Sequence, residues 1–408
     1  MTTLYDLIII GGGLVGSSLA CALRHTALKI ALIETKDWTA ETGASHYDDR
    51  VLALTYTSQR ILQGIGIWSA LAPQTTTIQQ IHVSEQGGFG MTRLNARDAQ
   101  LPAFGYTIRA KQLSQHLQQT VSQTACTILA PAQVEQVYFN DQHIELHLQH
   151  QGQTECLCTR LLVIADGGQS KIRDFVGMNA QIANYEQTAI TCNITLSKPH
   201  QHIAYERFTP TGPIALLPLE NQDCSLVWTV KQADETQAMA LNDKDFLHTV
   251  QQIFGWRAGQ FTRAGQRTAH PLRLVRTEIT DYPRLVVIGN AAHTLHPIAG
   301  QGFNLGLRDV ASLAQAIVET LQTQESDIGN TATLERYQHY QQPDQDRVIN
   351  LTNQMVKVFS NDFLPLKISR NLGMLAIDTL PFAKQWLVQQ MTGLHGHPSR
   401  LLMGLPLV

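Results

Sequence analysis

At 408 residues, with 43% of them hydrophobic, the chain is long enough to bury a large core and build two lobes, and is neither disordered nor fibrous. The formal net charge of -3 gives no broad field for a polyanion, so nucleic acid is not an expected partner. Six scattered cysteines, Cys21, Cys126, Cys156, Cys158, Cys192 and Cys224, suit free thiols in a reducing compartment, and a cytoplasmic location is expected.

No charged, apolar leader with a cleavage site precedes Leu4, and no run reaches the roughly 18 apolar residues of a spanning helix. Any membrane contact is therefore expected to be peripheral, at the inner membrane. Tyr5 to Ile10 is a β-branched apolar run of the kind that forms a buried parallel strand. Gly11-Gly12-Gly13-Leu14-Val15-Gly16 follows at once, Leu14 to Leu23 fits a tightly packed helix, and Lys29 to Glu34 reads as the next strand. In this βαβ context G-x-G-x-x-G binds a dinucleotide. Gly11 permits the tight turn, Gly13 lets a pyrophosphate approach the backbone, and Gly16 allows close packing of helix on strand. The helix start at Leu14 and Val15 offers amides to the phosphates, and Glu34 can accept hydrogen bonds from ribose hydroxyls. The motif alone does not choose FAD over NAD.

Ser58 to Ile67 and Gln112 to Val121 have helical spacing with a loop-rich stretch between them, and Thr127 to Gln151 reads as a small antiparallel sheet. Cys156 and Cys158 alternate along an apparent strand, and no second ligand pair with zinc-type spacing follows, so no metal is expected. Leu161 to Ala165 is a further buried strand, ending in Asp166-Gly167-Gly168 and rejoining the first sheet. From Tyr185 to Gln266 the pattern turns to short strands with polar turns, assigned to a sheet over the substrate side. Arg284 to Ile288 is a last buried strand, followed by a glycine-rich loop and a helix from Leu305 to about Leu321. From Leu334 onward the chain is mainly helical and unusually apolar. Such helices are expected to pack on their own protein, with docking to a membrane or partner as the other reading.

The loop Gly289 to Asn304 decides the cofactor. A strand ends at the short polar Asn290, turns through Pro297, Gly300 and Gly302, and enters a helix at Phe303 and Asn304. A reduced flavin develops negative charge near N1 and the C2 carbonyl, which amides at a helix start stabilise. Histidine as a residue type can serve acid-base chemistry near neutrality, but the place of His293 and His296 in this loop favours structural hydrogen bonding, and no catalytic residue is assigned.

With Asp166-Gly167-Gly168-Gln169-Ser170-Lys171-Ile172-Arg173, which matches D-G-x-x-S-x-x-R, these motifs resemble the group A aromatic hydroxylases, the para-hydroxybenzoate hydroxylase-like flavoproteins, over nearly the whole chain. The resemblance implies that Asp166 and Arg173 serve FAD binding and NAD(P)H use. It also implies that Arg50, in Asp49-Arg50-Val51-Leu52-Ala53-Leu54, lies against the FAD phosphates with Gln112 in the same region. The run from Gly289 to Asp309 is similar to the ubiquinone-biosynthesis hydroxylases, specifically the 2-polyprenyl-6-methoxyphenol hydroxylases. Most of the wider family carry aspartate where Asn290 stands; asparagine keeps an acceptor for the ribityl chain and loses the charge.

The implied architecture is α/β (α+β two-lobe): a Rossmann-like FAD-binding domain from the discontinuous segments 1–180 and 276–330, an antiparallel-sheet substrate domain at 181–275, and a helical C-terminus at 331–408. The expected cofactor set is Gly11, Gly13, Leu14, Val15, Gly16, Glu34, Arg50, Gln112, Asp166, Asn290, Pro297, Gly300, Gly302, Phe303 and Asn304. By the resemblance, NAD(P)H reduces FAD, oxygen adds at flavin C4a, and one oxygen atom passes to a polyprenylated phenol, giving a benzoquinol on the route to ubiquinone. A lipid tail gives the apolar helices a use at a membrane or among other ubiquinone-biosynthesis proteins. Three alternatives stay open: a sister hydroxylase acting at another ring position, a non-catalytic FAD-binding scaffold subunit, and a flavin reductase that inserts no oxygen.

Overall fold

The apolar run near the N-terminus becomes the strand Thr3–Ile10, in which Leu7, Ile8 and Ile9 have no exposed surface. A strand apolar on both faces is stable only inside a sheet covered on both sides. In the computed structural model, which describes residues 3–38, 50–278, 282–323, 325–359, 363–395 and 397–408, it pairs in parallel with Ile30–Ile33 and with Gln153–Ile164. Thr127–Leu129 and Leu285–Val287 extend the parallel set, and Ile144–His150 and Ala132–Phe139 complete a seven-stranded sheet as antiparallel hairpins on Gln153–Ile164. Helices Leu14–Ala22, Tyr56–Ile65, Ala110–Ser122 and Gln301–Gln322 share one core with this sheet. The antiparallel insertion expected at 127–151 is thus no separate sheet. Alternation identifies a strand but not its partner, and here the partner is the 12-residue strand that ends at Ile164.

A nine-stranded sheet covers this lobe, in the order His293–Thr294, Thr268–Thr277, Ala180–Leu196, Asp223–Lys231, Gly212–Pro218, Ile203–Thr209, Gln80–Glu85, Met91–Asn95, with Phe261–Ala264 also on Ala180–Leu196. Two of its strands, Gln80–Glu85 and Met91–Asn95, come from the stretch that reads as loop. Their polar and apolar residues alternate only over a few positions, too few to separate strand from loop. One face of the sheet, with Ile190, Ile194, Ile214, Leu216, Leu226 and Trp228, packs on Phe246, Val250 and Phe254. Those three side chains recur every fourth residue on the helix Asp243–Phe254, whose first turn is capped by Asn242 accepting from the Asp245 amide at 2.9 Å. This helix and Glu235–Ala240 interrupt a segment that reads as all strands. The opposite face, by cross-strand register, carries Thr191, Val227, Ala215 and Glu206, and Thr191 and Val227 line a cleft with Arg50 and Val51.

Three helices, Thr331–Phe359, Leu364–Thr379 and Pro381–Thr392, close the chain. They are fastened to the covering sheet: Arg370 and Asn371 grip the buried Glu85 carboxylate, and Asp378 accepts from the Arg93 amide at 2.8 Å. Phe363, Leu372, Leu375, Phe382 and Trp386 nevertheless remain exposed. Among the described residues no helix is long and apolar enough to cross a membrane.

Phe246 has no exposed surface and meets Trp228 edge to face at 5.9 Å. Phe246→Ala is expected to cost about 3–5 kcal/mol, read as a lower urea midpoint with unchanged far-UV circular dichroism.

Candidate active site

Three separated segments converge at the ends of the parallel strands. Gly11, at φ +105, leaves the first strand so close to Ala165 that a Cβ would lie 2.5 Å from its carbonyl oxygen, and a Cβ on Gly16 would lie 2.0 Å from the Gly11 oxygen. Only glycine fits at either place. A Cβ on Gly13 would meet nothing within 4 Å among the described residues, so the start of Leu14–Ala22 opens on free space, the position a phosphate needs. Glu34, just past Ile30–Ile33, accepts from the Gly12 amide at 2.7 Å and the Lys36 amide at 3.0 Å. Leu14 is half-buried, and Val15 turns its side chain away from the opening, onto Gly289 and Gly306.

The second loop is built around Asp309, which has no exposed surface. Its carboxylate accepts from the Gly289 amide at 2.8 Å, His293 Nε2 at 2.7 Å, Gln341 Nε2 at 2.7 Å and Gln345 Nε2 at 2.8 Å. Asn290 is exposed, and the space where Gly302 would carry a Cβ has only the Asn290 Oδ1 near it, at 3.9 Å. Pro297 turns the chain at φ -69 and accepts from the Gly300 amide at 3.0 Å. Gly300 then starts the helix Gln301–Gln322, with Phe303 half-buried against the core. Asn304 is fully committed: its Oδ1 accepts from the Thr55 amide and the Ser58 hydroxyl, and its Nδ2 donates to the Ala53 and Gly300 carbonyls. Its side chain has no hydrogen-bonding capacity left for a ligand.

Asp166 joins the two loops. Its neighbour Gly168 would push a Cβ to 2.8 Å from Thr294 Oγ1, while Gly167, at φ +94, faces open space. Burial raises the Asp166 carboxyl, opposed by hydrogen bonds from Ser170 and the Ile172 amide and by the charge of Arg173. Asp166 Oδ1 is buried without a partner among the described residues. Arg173 is itself buried and donates to the Ala291 carbonyl at 3.4 Å, bracing the loop. Open space at Gly13 and Gly167 and an unmatched acceptor between them fit a dinucleotide with donor hydroxyls. Arg50 and Gln112 belong to a neighbouring hairpin and the helix that follows it. Val51–Thr55 runs from Arg50 to the Ala53 that touches Gly300, and pairs with Gly105–Arg109, which leads into the helix holding Gln112. Arg50 lines a small cleft with Thr191, Asn193, Thr268 and His270, and its charge helps burial lower the His270 pKa. Asp49 lies outside the described residues.

The sequence offered no residue on the substrate side, yet three stand out. Phe208 packs on Ile298 of the second loop, with Val83, Tyr185, Val356 and Phe359 around it. Glu206, two positions earlier on Ile203–Thr209, shares its face, and burial pushes its carboxyl up to about 8. A pair of charges between two aromatic residues, Tyr205-Glu206-Arg207-Phe208, is the trace it leaves in the sequence. Tyr185 has a buried hydroxyl without a partner among the described residues, and its ring meets His296 edge on at 5.2 Å. His296 has no exposed surface, donates from Nε2 to Gln187 Oε1 at 3.2 Å, and is pushed by burial down to about 4. Both loop histidines thus hold structure, as the sequence suggests.

The unfolded chain protonates His296 at its ordinary 6.5, whereas the folded one resists until about 4. Stability therefore falls as pH drops through that window. Against His296→Gln, the wild type is expected to lose up to about 3 kcal/mol between the two ends, measured by urea unfolding at stepped pH.

A family model described as FAD binding domain matches residues 5–348. The ubiquinone hydroxylase UbiL of Rhodospirillum rubrum is 34% identical, over 98% of this chain and 93% of that protein. The 3-demethoxyubiquinol 3-hydroxylase of Escherichia coli K12 is 28% identical, over 95% of this chain and 98% of that one. Among solved structures, p-nitrophenol 4-monooxygenase PnpA from Pseudomonas putida DLL-E4 superposes with a TM-score of 0.78 at 13% identity, covering 98% of this chain and 100% of that one. The chain belongs to the FAD-binding-domain family, among its ubiquinone-biosynthesis hydroxylases, and is an FAD-dependent monooxygenase.

Proposed function

We propose that the protein converts a 2-polyprenyl-6-methoxyphenol to the benzoquinol on the route to ubiquinone, with O2 as oxygen source and NAD(P)H as reductant. The observation that carries this reading is the opposition of two surfaces. The loop 289–304, which leads into a helix start, meets the face of the covering sheet that carries Glu206 and Phe208, and the two touch where Phe208 packs on Ile298. A ring held between them lies against the flavin loop, shielded from water by Phe208, Tyr185, Val83 and Phe359.

FAD, once reduced by NAD(P)H, supplies the chemistry that activates oxygen. The chain binds and orients. Gly11, Gly13 and the amides of Leu14, Val15 and Gly16 take the pyrophosphate, with Arg50 and Gln112 at the phosphate side. Glu34 takes ribose hydroxyls, Asp166 Oδ1 accepts a cofactor hydroxyl, and Asn290 accepts from the ribityl chain. Pro297 and Gly300 wall the ring, amides at Gly302 and Phe303 meet the negative charge near N1 and C2, and Asn304 holds the loop in place. Glu206 accepts the phenol proton as electron density moves into the ring. The exposed Phe363, Leu372, Leu375, Phe382 and Trp386 rest on the membrane that holds the prenylated substrate.

Incubating purified protein with the prenylated phenol, NAD(P)H and isotope-labelled O2 tests the reaction. One labelled oxygen at the benzoquinol position is expected by mass spectrometry and NMR; label at another carbon points to a sister activity, and unlabelled product with oxidised NAD(P)H sinks oxygen insertion. Glu206→Gln is expected to lower kcat by about 10²–10⁴ with FAD content and KM nearly unchanged. It should also remove the rise in activity around pH 8 that the ionising Glu206 gives the wild type.

A further inference from the structure

The hairpin of Ile144–His150 and Gln153–Ile164 buries Ile144, Leu146, Leu148 and Leu157 in the nucleotide lobe. Its other face carries an arrangement that the flavin site does not use. In the antiparallel register Glu145 lies opposite Cys158 and His147 opposite Cys156. Opposite residues share a face, and so do residues two apart on one strand. His143, Glu145, His147, Cys156 and Cys158 therefore line one side. Read along the sequence, the Cys-x-Cys pair lacks a following partner pair; its complement is the preceding His-x-Glu-x-His, brought alongside by strand pairing.

The donor atoms are already close. His147 Nε2 is 2.6 Å from Glu145 Oε1 and 3.8 Å from Cys156 Sγ. The ligand atoms of Glu145, His147 and Cys156 lie within 4.8 Å of one another, as do those of His143, Glu145 and Cys158. A tetrahedral ion with bonds of about 2.0–2.3 Å holds its ligand atoms about 3.3–3.8 Å apart, which small side-chain rotations reach from here. A thiolate, an imidazole and a carboxylate together select a zinc-class ion over magnesium or calcium. Glu145, His147 and Cys156 are half-buried, so an ion can enter from solvent.

We propose that this face binds one zinc-class divalent ion through Glu145 carboxylate, His147 Nε2 and Cys156 Sγ, with water completing the tetrahedron. The ion bridges neighbouring strands and stiffens the hairpin. Cys156 stands about ten residues before Asp166, about 33 Å along extended chain, so the ion takes no part in the oxygen chemistry.

The test uses FAD-loaded protein, stripped with a chelator and titrated with Co2+ as a spectroscopic probe. Expected are a thiolate-to-cobalt charge-transfer band and intense tetrahedral bands that saturate at about one ion per chain and vanish with one equivalent of Zn2+. Cys156→Ser and His147→Ala should each weaken binding at least about ten-fold, with FAD content and far-UV circular dichroism unchanged, while Cys126→Ser binds as the wild type does. Glu145→Gln provides a third ligand variant should either of the first two fail to fold. The proposal is overturned by the absence of a thiolate band, by equal binding in the ligand variants, or by bands that survive Cys156→Ser and vanish in Cys158→Ser.

Discussion

A buried carboxylate organises this protein. Asp309 has no contact with solvent, and an ionised group there is tolerable only because four donors saturate it. Those donors come from three places: the entry of the second glycine loop, its first histidine, and the long helix Thr331–Phe359. Hydrogen bonds to a charged acceptor contribute roughly 1.5–3 kcal/mol each, and removing any one leaves the others strained around an under-satisfied charge. The loop is thus fixed at its start by Asp309 and at its end by Asn304, which stitches the helix start to Ala53 and Thr55. Through Val15, wedged onto Gly289 and Gly306, the first glycine loop takes its position from the second.

The covering sheet performs two tasks with one sequence period. On Ile203–Thr209, Tyr205 faces the helix Asp243–Phe254 while Glu206 and Phe208 share the opposite face, where Phe208 packs on Ile298. The apolar side supplies rigidity and the other supplies a few polar groups inside a largely apolar enclosure. In the proposed site Phe208, Tyr185 and Phe359 shield the ring from water, which strengthens each electrostatic interaction with it.

What the sequence discloses divides by range. The glycine loops were legible because each is a continuous segment whose geometry is set locally: Gly11, Gly16 and Gly168 each press on a backbone or side chain at distances no Cβ allows. Four of the five parallel strands were legible from their apolar runs; Thr127–Leu129, only three residues long, reads instead as part of an antiparallel sheet. The helix Asp243–Phe254 was not, since its three core side chains are diluted by nine other residues. Nor was the membership of Gln80–Glu85 in the covering sheet, which depends on pairing with Ile203–Thr209 more than a hundred residues on. Glu206 escaped notice for that same reason, and Cys156 with Cys158 does not read as a ligand pair because His147 comes alongside only through strand register. Their neighbours are defined by register, and register is a property of the folded chain.

The anchoring of Gly289 by Asp309, Gln341 and Gln345 also sets a timetable for the protein's birth. A nascent chain emerges N-terminus first, so the first βαβ unit is outside the ribosome long before its counterpart loop exists. Until Gly289 and Gly306 have emerged, Val15 lacks both surfaces it packs on, and until Gln341 and Gln345 follow, Asp309 lacks two of the four donors that hold it. The growing polypeptide therefore carries an unfinished, apolar lobe until residues as far as Gln345 have emerged.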